Sequence, residues 1–174
     1  MKRFNSFGFT IVELLVVIVV IGILASITVV AYTGIQKRAQ LSKINSDLLE
    51  LSKAIQSASI NKQKTLIDMT ASTYTAWGCV AQSPGTDLAT LSKSDPCWTQ
   101  YLSTLDAIST NSGINVRSMV DPWGRPYYID ENEGEGGTGC SQDVLQAYTL
   151  PMNSSNAYAG TSITVPLSRF SGCN

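Results

Sequence analysis

Apolar positions crowd the front of the chain. From Leu14 to Ala25 no side chain is polar, and across residues 9–32 only Thr10, Glu13, Ser26 and Thr28 interrupt the run. A bilayer-crossing helix needs about 20 such residues, whereas the apolar core of a secretory signal has about 7–15. The run therefore predicts a membrane-spanning helix over residues 9–32. Beyond it, Ile35, Leu41, Ile44, Leu48, Leu51, Ile55 and Ala58 recur at steps of mostly three and four residues. Lys37, Arg38, Lys43, Asp47, Glu50 and Lys53 fall on other faces. This is the pattern of an amphipathic helix with one buried stripe, and it extends the first helix to residue 60. A helix over residues 9–58 measures roughly 75 Å at ~1.5 Å per residue. No small domain encloses that length, so the helix is expected to protrude. Gly34 is its expected soft point.

The pattern then changes. Residues 61–75 read as a polar connection at the start of a head that runs to residue 174. Asp95-Pro96 reads as an N-cap followed by the first helical position, opening a short helix that includes Trp98, Tyr101, Leu102, Leu105 and Ile108. Asp121-Pro122-Trp123-Gly124 has the residues of a type I turn. Residues 126–130, 145–150 and 162–167 are strand candidates. The predicted class is α+β: a long protruding N-terminal helix packed on a small C-terminal head with an antiparallel sheet, shaped like a lollipop.

Composition narrows the function classes. There are 12 Lys+Arg against 13 Asp+Glu, and no His. A near-neutral balance points away from nucleic acid. Without His there is no His-based triad, His general base or His-ligated metal. The charged share is 14%, low against the usual ~25%, as in surface-exposed proteins. Cys79, Cys97, Cys140 and Cys173 are even in number and lie in the head. Such a count suits disulfides in an oxidising compartment. Of the three possible pairings, the one sequential along the chain, Cys79–Cys97 and Cys140–Cys173, is expected. The acids cluster too: Asp121, Asp130, Glu131, Glu133, Glu135 and Asp143 lie within one stretch, interleaved with Gly134, Gly136, Gly137 and Gly139. Clustered carboxylates on a flexible loop are what a hard cation uses. The plain alternative is a solvated acidic loop. Asp130, Asn132, Glu133, Glu135 and Asp143 are the candidate ligands, with Ca2+ as a structural ion.

Glu13 is the anomaly of the first helix: a carboxylate in hydrocarbon is costly and marks a functional position by default, and the plain alternative is a Glu that snorkels to the interface. Lys2-Arg3, then Gly8, then Phe9-Thr10-Ile11-Val12-Glu13-Leu14-Leu15 resembles the class III leader and cleavage site of type IV pilins and type II secretion pseudopilins. The resemblance implies a leader of residues 1–8, cleavage between Gly8 and Phe9 by a prepilin peptidase, and methylation of the Phe9 amine. Glu13 then stands fifth in the mature chain, the family's Glu position, with an assembly role. Where many members carry a helix-interior Pro, this chain has Val29-Val30. Asp121-Pro122-Trp123-Gly124-Arg125-Pro126-Tyr127 is similar to a turn of the major pseudopilins of type II secretion, and calcium binding in those proteins raises the expectation of a cation site here. The cysteines depart from that pattern and look more like the disulfide-closed loop of type IV pilins.

The resemblance implies a structural, non-enzymatic filament subunit. It would be inserted in the cytoplasmic membrane with its N-terminus inside, then polymerised into a cell-surface or periplasmic filament. Its partners would be identical or related pilin subunits, the prepilin peptidase, and an inner-membrane assembly platform with its ATPase. A minor tip pilin acting as adhesin or primer, and a membrane-tethered enzyme, are the alternatives. The chain has no Gly-Lys-Ser/Thr phosphate loop and no Gly-x-Ser-x-Gly elbow, which disfavours the enzyme. The leader generates the first prediction. Intact-mass measurement on the native protein should find a chain that begins at Phe9 and carries one methyl group. A chain still beginning at Met1, or cut beyond the apolar run, contradicts it.

Overall fold

Proline is absent from the chain before Pro84, so nothing breaks the first helical pattern. The computed structural model describes residues 9–72, 74–135, 141–148 and 161–168, and in it α1 runs unbroken from Ile11 to Lys62, 52 residues. The chain divides into two units, Met1–Gln40 and Leu41–Asn174. In the first, the large apolar side chains of the described helix are exposed, Phe9, Ile11, Leu14, Ile18, Ile23 and Ile27 among them. This stretch is long and apolar enough to cross a membrane.

In the second unit α1 behaves as an amphipathic core helix. Ile44, Leu48, Leu51, Ala54, Ile55 and Ala58 are fully buried, and Leu41 is half-buried. Ile35, expected in the same stripe, is 66% exposed. It precedes the part of the helix that has anything to pack against.

The polar connection holds structure that its composition concealed. α2 (Leu66–Thr70) starts at Thr65, whose side chain accepts from the Asp68 amide, and buries Leu66. The Thr65-Leu66-Ile67-Asp68 spacing is a helix-start signal that overall polarity hid. α3 (Trp77–Val80) follows, then a single 3-10 turn, Leu88–Thr90. α4 (Pro96–Ser112) opens as expected, with the Asp95 carboxylate accepting from the Cys97 amide at 2.8 Å. It ends at Gly113, whose φ of 76° is costly for any residue with a Cβ.

The sheet has three short antiparallel strands in the order β1 (Tyr128–Asp130), β2 (Val144–Gln146), β3 (Ile163–Thr164). Ile129 lies opposite Leu145, and Leu145 opposite Ile163. Ile129 and Leu145 are fully buried with the α1 stripe and with Trp98, Tyr101, Leu105 and Ile108 of α4. The strands are shorter than their expected spans. Pro126 and Pro166 cannot donate to a ladder, and residues 149 and 150 lie outside the described residues.

Between α4 and β1 the Asp121–Tyr127 segment folds around one buried ion pair. Asp121 Oδ1 accepts from the Trp123 and Arg125 amides at 2.9 and 2.8 Å, and Oδ2 accepts from Arg125 Nε at 2.7 Å. Both residues are within 2% of full burial. Gly124 takes the positive φ of 80°, and the Trp123 ring lies 4.5 Å from the guanidinium carbon. Tyr127 donates its hydroxyl to Asp47 of α1 at 2.6 Å. Breaking a buried pair of this kind by removing one partner costs about 3–5 kcal/mol.

α3 is pinned against α4. The expected Cys79–Cys97 disulfide joins them, the Gly78 amide donates to Gln100 Oε1 at 3.0 Å, and the Ala76 amide donates to Ile129 O at 3.0 Å. A Cβ on Gly78 would stand 2.7 Å from the Cys97 nitrogen and the Pro96 carbonyl carbon, too close for backbone to tolerate. The other expected pair, Cys140–Cys173, lies outside the described residues. Gly78→Ala should therefore destabilise the head by about 1–3 kcal/mol through overpacking. Cys97→Ser, which opens a loop of 18 residues, should cost about 3 kcal/mol. Thermal melts under non-reducing conditions measure both, and wild-type melting in the two variants would show that α3 is not held this way.

Candidate functional site

Two regions carry the chemistry singled out in the sequence. The first is the start of α1. Thr10 precedes the helix, and the Glu13 carboxylate accepts from the Thr10 amide at 2.8 Å and from its hydroxyl at 2.6 Å. The Glu13 amide points back to Thr10 Oγ1 at 3.3 Å. This is a reciprocal capping box, and it places a carboxylate in the first turn, where the helix dipole favours negative charge. Phe9 stands just before it, 77% exposed. Gly8 and the rest of the leader lie outside the described residues. Past Glu13 the exposed side chains are Leu14, Leu15, Val16, Val17 and their successors. Glu13 is thus one carboxylate at the end of a long apolar surface.

The second region is the acidic stretch of the head. Its carboxylates do not converge. Asp143 is buried, and its Oδ1 accepts from the Asn132 and Glu133 amides, each at 2.9 Å. Glu133 is buried, and its Oε1 accepts from the Ser168 amide. Asp130 accepts from the Tyr128 hydroxyl at 3.1 Å. Asn132 directs its side-chain amide at the Asp130 carbonyl, 3.4 Å away. Glu135 is exposed. Among the described residues no group of three or more acids could hold a metal ion. The proposed set Asp130, Asn132, Glu133, Glu135 and Asp143 does not fit calcium as it stands, because its two buried carboxylates cap backbone amides that would otherwise be orphaned.

Glu131, which the ligand set omitted, is the most deeply placed acid. Its Oε2 accepts from the Thr75 amide at 2.7 Å, and its Oε1 accepts from the Thr75 hydroxyl. That hydroxyl lies 2.7 Å from Thr104 Oγ1 on α4. When Glu131 is ionised it only accepts, so Thr75 then gives its proton to Glu131 and Thr104 donates to Thr75. Burial pushes the Glu131 carboxyl up to about 7, against the lowering effect of the Thr75 hydrogen bonds. Burial likewise pushes Asp143 up to about 6. Alternation in the strand was the available signal for Glu131: Ile129 faces the core, and so does the second residue after it.

Residues 3–29 match the prokaryotic N-terminal methylation motif. The chain is 29% identical over 140 residues to the type II secretion system core protein G of Escherichia coli K12, a match covering 80% of this chain and 79% of that protein. It is 42% identical over 55 residues to the protein of the same name from Klebsiella michiganensis, covering 32% of this chain and 39% of that one. No solved structure matches the chain.

Both raised carboxyls have the same consequence for stability. Their folded-state values exceed the ordinary 4.5 and 3.8, so the folded head prefers them protonated. That preference is fully present below about pH 4 and is lost as pH rises through 6 and 7. The melting temperature of the head should therefore fall between pH 5 and 7.5, by an amount on the order of a few kcal/mol in stability. Glu131→Gln should flatten the profile. Calorimetry across this range checks it, and a melting temperature that rises with pH would contradict it.

Proposed function

We propose that the chain is a member of the pilin and pseudopilin family and serves as a structural subunit of a type II secretion pseudopilus or a closely similar filament. The observation that carries the reading is that similarity to core protein G extends over 80% of the chain, well beyond the methylation motif at residues 3–29. Filament subunits of this family are structural, and no catalytic role is assigned here.

The mechanism follows from the chemistry of the first helix. Lys2 and Arg3 keep the N-terminus in the cytoplasm while residues 9–32 enter the bilayer. A prepilin peptidase cuts between Gly8 and Phe9, which removes both leader charges and frees an amine on Phe9. Methylation of that amine leaves it cationic. Glu13 of one subunit then pairs with the Phe9 amine of a neighbour. In a low-dielectric filament core such a pair sets register more than it adds net stability. The exposed apolar side chains of residues 9–28 supply the helix-to-helix packing. An inner-membrane platform and its ATPase move subunits out of the membrane into a periplasmic or surface filament. Calcium has no part in this reading, since among the described residues no group of three or more acids could hold it.

The capping box makes the test specific. Within one chain Glu13 already has its Thr10 hydrogen bonds, so insertion and head folding do not require a neighbour. Glu13→Ala should leave membrane insertion and the head's melting temperature unchanged. It should reduce filaments counted by electron microscopy by about tenfold or more, since the pair's intersubunit attraction is lost in an apolar setting. Wild-type filament numbers in that variant would remove Glu13 from assembly.

A further inference from the structure

The head holds one feature that filament assembly does not use. An open cleft of about 760 Å³ lies beside α3, with an aromatic wall of Tyr74, Trp77 and Tyr128 and a polar side of Gln100, Asp130 and Glu135. We infer that this cleft binds the pyranose ring of an oligosaccharide, stacked on Trp77 and hydrogen-bonded through its hydroxyls to Gln100, Asp130 and Glu135.

The aromatic wall is the first support. Of the two tryptophans on either side of the disulfide, Trp98 builds the core: it is 1% exposed and donates its indole N–H to Leu88 O at 2.9 Å. Trp77 is 62% exposed and belongs to neither buried cluster. Its ring neighbour is Tyr74, 6.1 Å away between centroids, and Tyr74 in turn meets Tyr128 edge-on at 5.7 Å. A large apolar ring left in water on a loose loop would be unremarkable. The backbone that carries Trp77 is instead held in place. It sits between Ala76, tied to β1, and Gly78, jammed against α4, and is followed by the disulfide at Cys79. A backbone fixed in place before binding leaves less entropy to lose when a ligand stacks on the ring it carries.

The polar side is the second support. Gln100 spends its side-chain oxygen on the Gly78 amide at 3.0 Å, which leaves its NH2 as the group it can offer. Asp130 is oriented by the Tyr128 hydroxyl at 3.1 Å and keeps further acceptor capacity. Glu135 adds a second exposed carboxylate. Acceptors and an amide donor beside an aromatic face match a pyranose, which has an apolar C–H face and a rim of hydroxyls that both donate and accept. Among the described residues no Lys or Arg lines the cleft, and two carboxylates do, which disfavours phosphorylated and other anionic ligands.

Hexosamine chains of a cell wall and neutral glucans of external material share this chemistry, and the test separates them. Full-length protein in a zwitterionic, sugar-free detergent is titrated with chitotetraose, cellotetraose and, as a cationic control, tetramethylammonium. Tryptophan fluorescence and heat are recorded at low and high salt. The expected result is saturable binding of one or both tetrasaccharides, insensitive to salt, with the better of the two naming the source. Trp77→Ala should weaken it about tenfold, and Trp77→Phe, which keeps a ring, should weaken it less. Both variants should melt as the parent does, since Trp77 is exposed. No saturable signal with either sugar, binding unaltered in Trp77→Ala, or salt-sensitive binding of tetramethylammonium alone would each overturn the inference. So would a Trp77 signal that changes only with protein concentration, because a second copy would then occupy the cleft.

Discussion

The buried stripe of α1 is the constraint on which the head depends. Ile44, Leu48, Leu51, Ile55 and Ala58 are fully withdrawn from water, and the sheet and α4 pack on them to make one core. Strands of two or three residues could not hold a sheet together by their ladder alone. They persist because Ile129 and Leu145 deliver apolar surface to a helix already in place. The tie from Tyr127 to Asp47 fastens the entry to β1 onto the same helix.

A second theme is how this head uses charge. It has few charged residues and spends several of them inside. Asp121 and Arg125 form a buried pair in which Asp121 also closes the turn through two backbone amides. Asp143 and Glu133 accept from backbone amides in the irregular chain around the sheet. Short strands leave many backbone groups unpaired, and these carboxylates satisfy them. The acidic stretch that looks like a cation site is thus an architectural substitute for longer strands.

The two units use apolar surface in opposite ways. In Leu41–Asn174 it is gathered into a core, whereas in the described part of Met1–Gln40 it is left outward along α1. Outward apolar surface of that extent needs a bilayer or other helices around it. A filament subunit meets both in turn, first as a membrane protein and then as part of a helical core. Glu13 is tolerable in either setting only with partners, and Thr10 supplies the first of them.

Local chemistry in the sequence was enough to determine α1, the Asp95 cap of α4 and the Asp121–Gly124 turn. Each rests on periodicity or on contacts between residues close along the chain. The N-terminal motif was legible for the same reason, since it is written as one short contiguous string, residues 3–29. Burial at Ile35 was misjudged because periodicity shows which face of a helix is apolar and not where its packing begins. The acidic residues were a weaker guide, because composition counts carboxylates without showing which way they turn; that depends on which backbone amides the fold leaves unpaired. Glu131 with Thr75 and Thr104, and Trp77 with Tyr74 and Tyr128, join residues 29 to 56 positions apart or set one ring on a pinned four-residue helix. Only tertiary structure decides such groupings, because they depend on the closeness that Gly78 and the disulfide impose between α3 and α4.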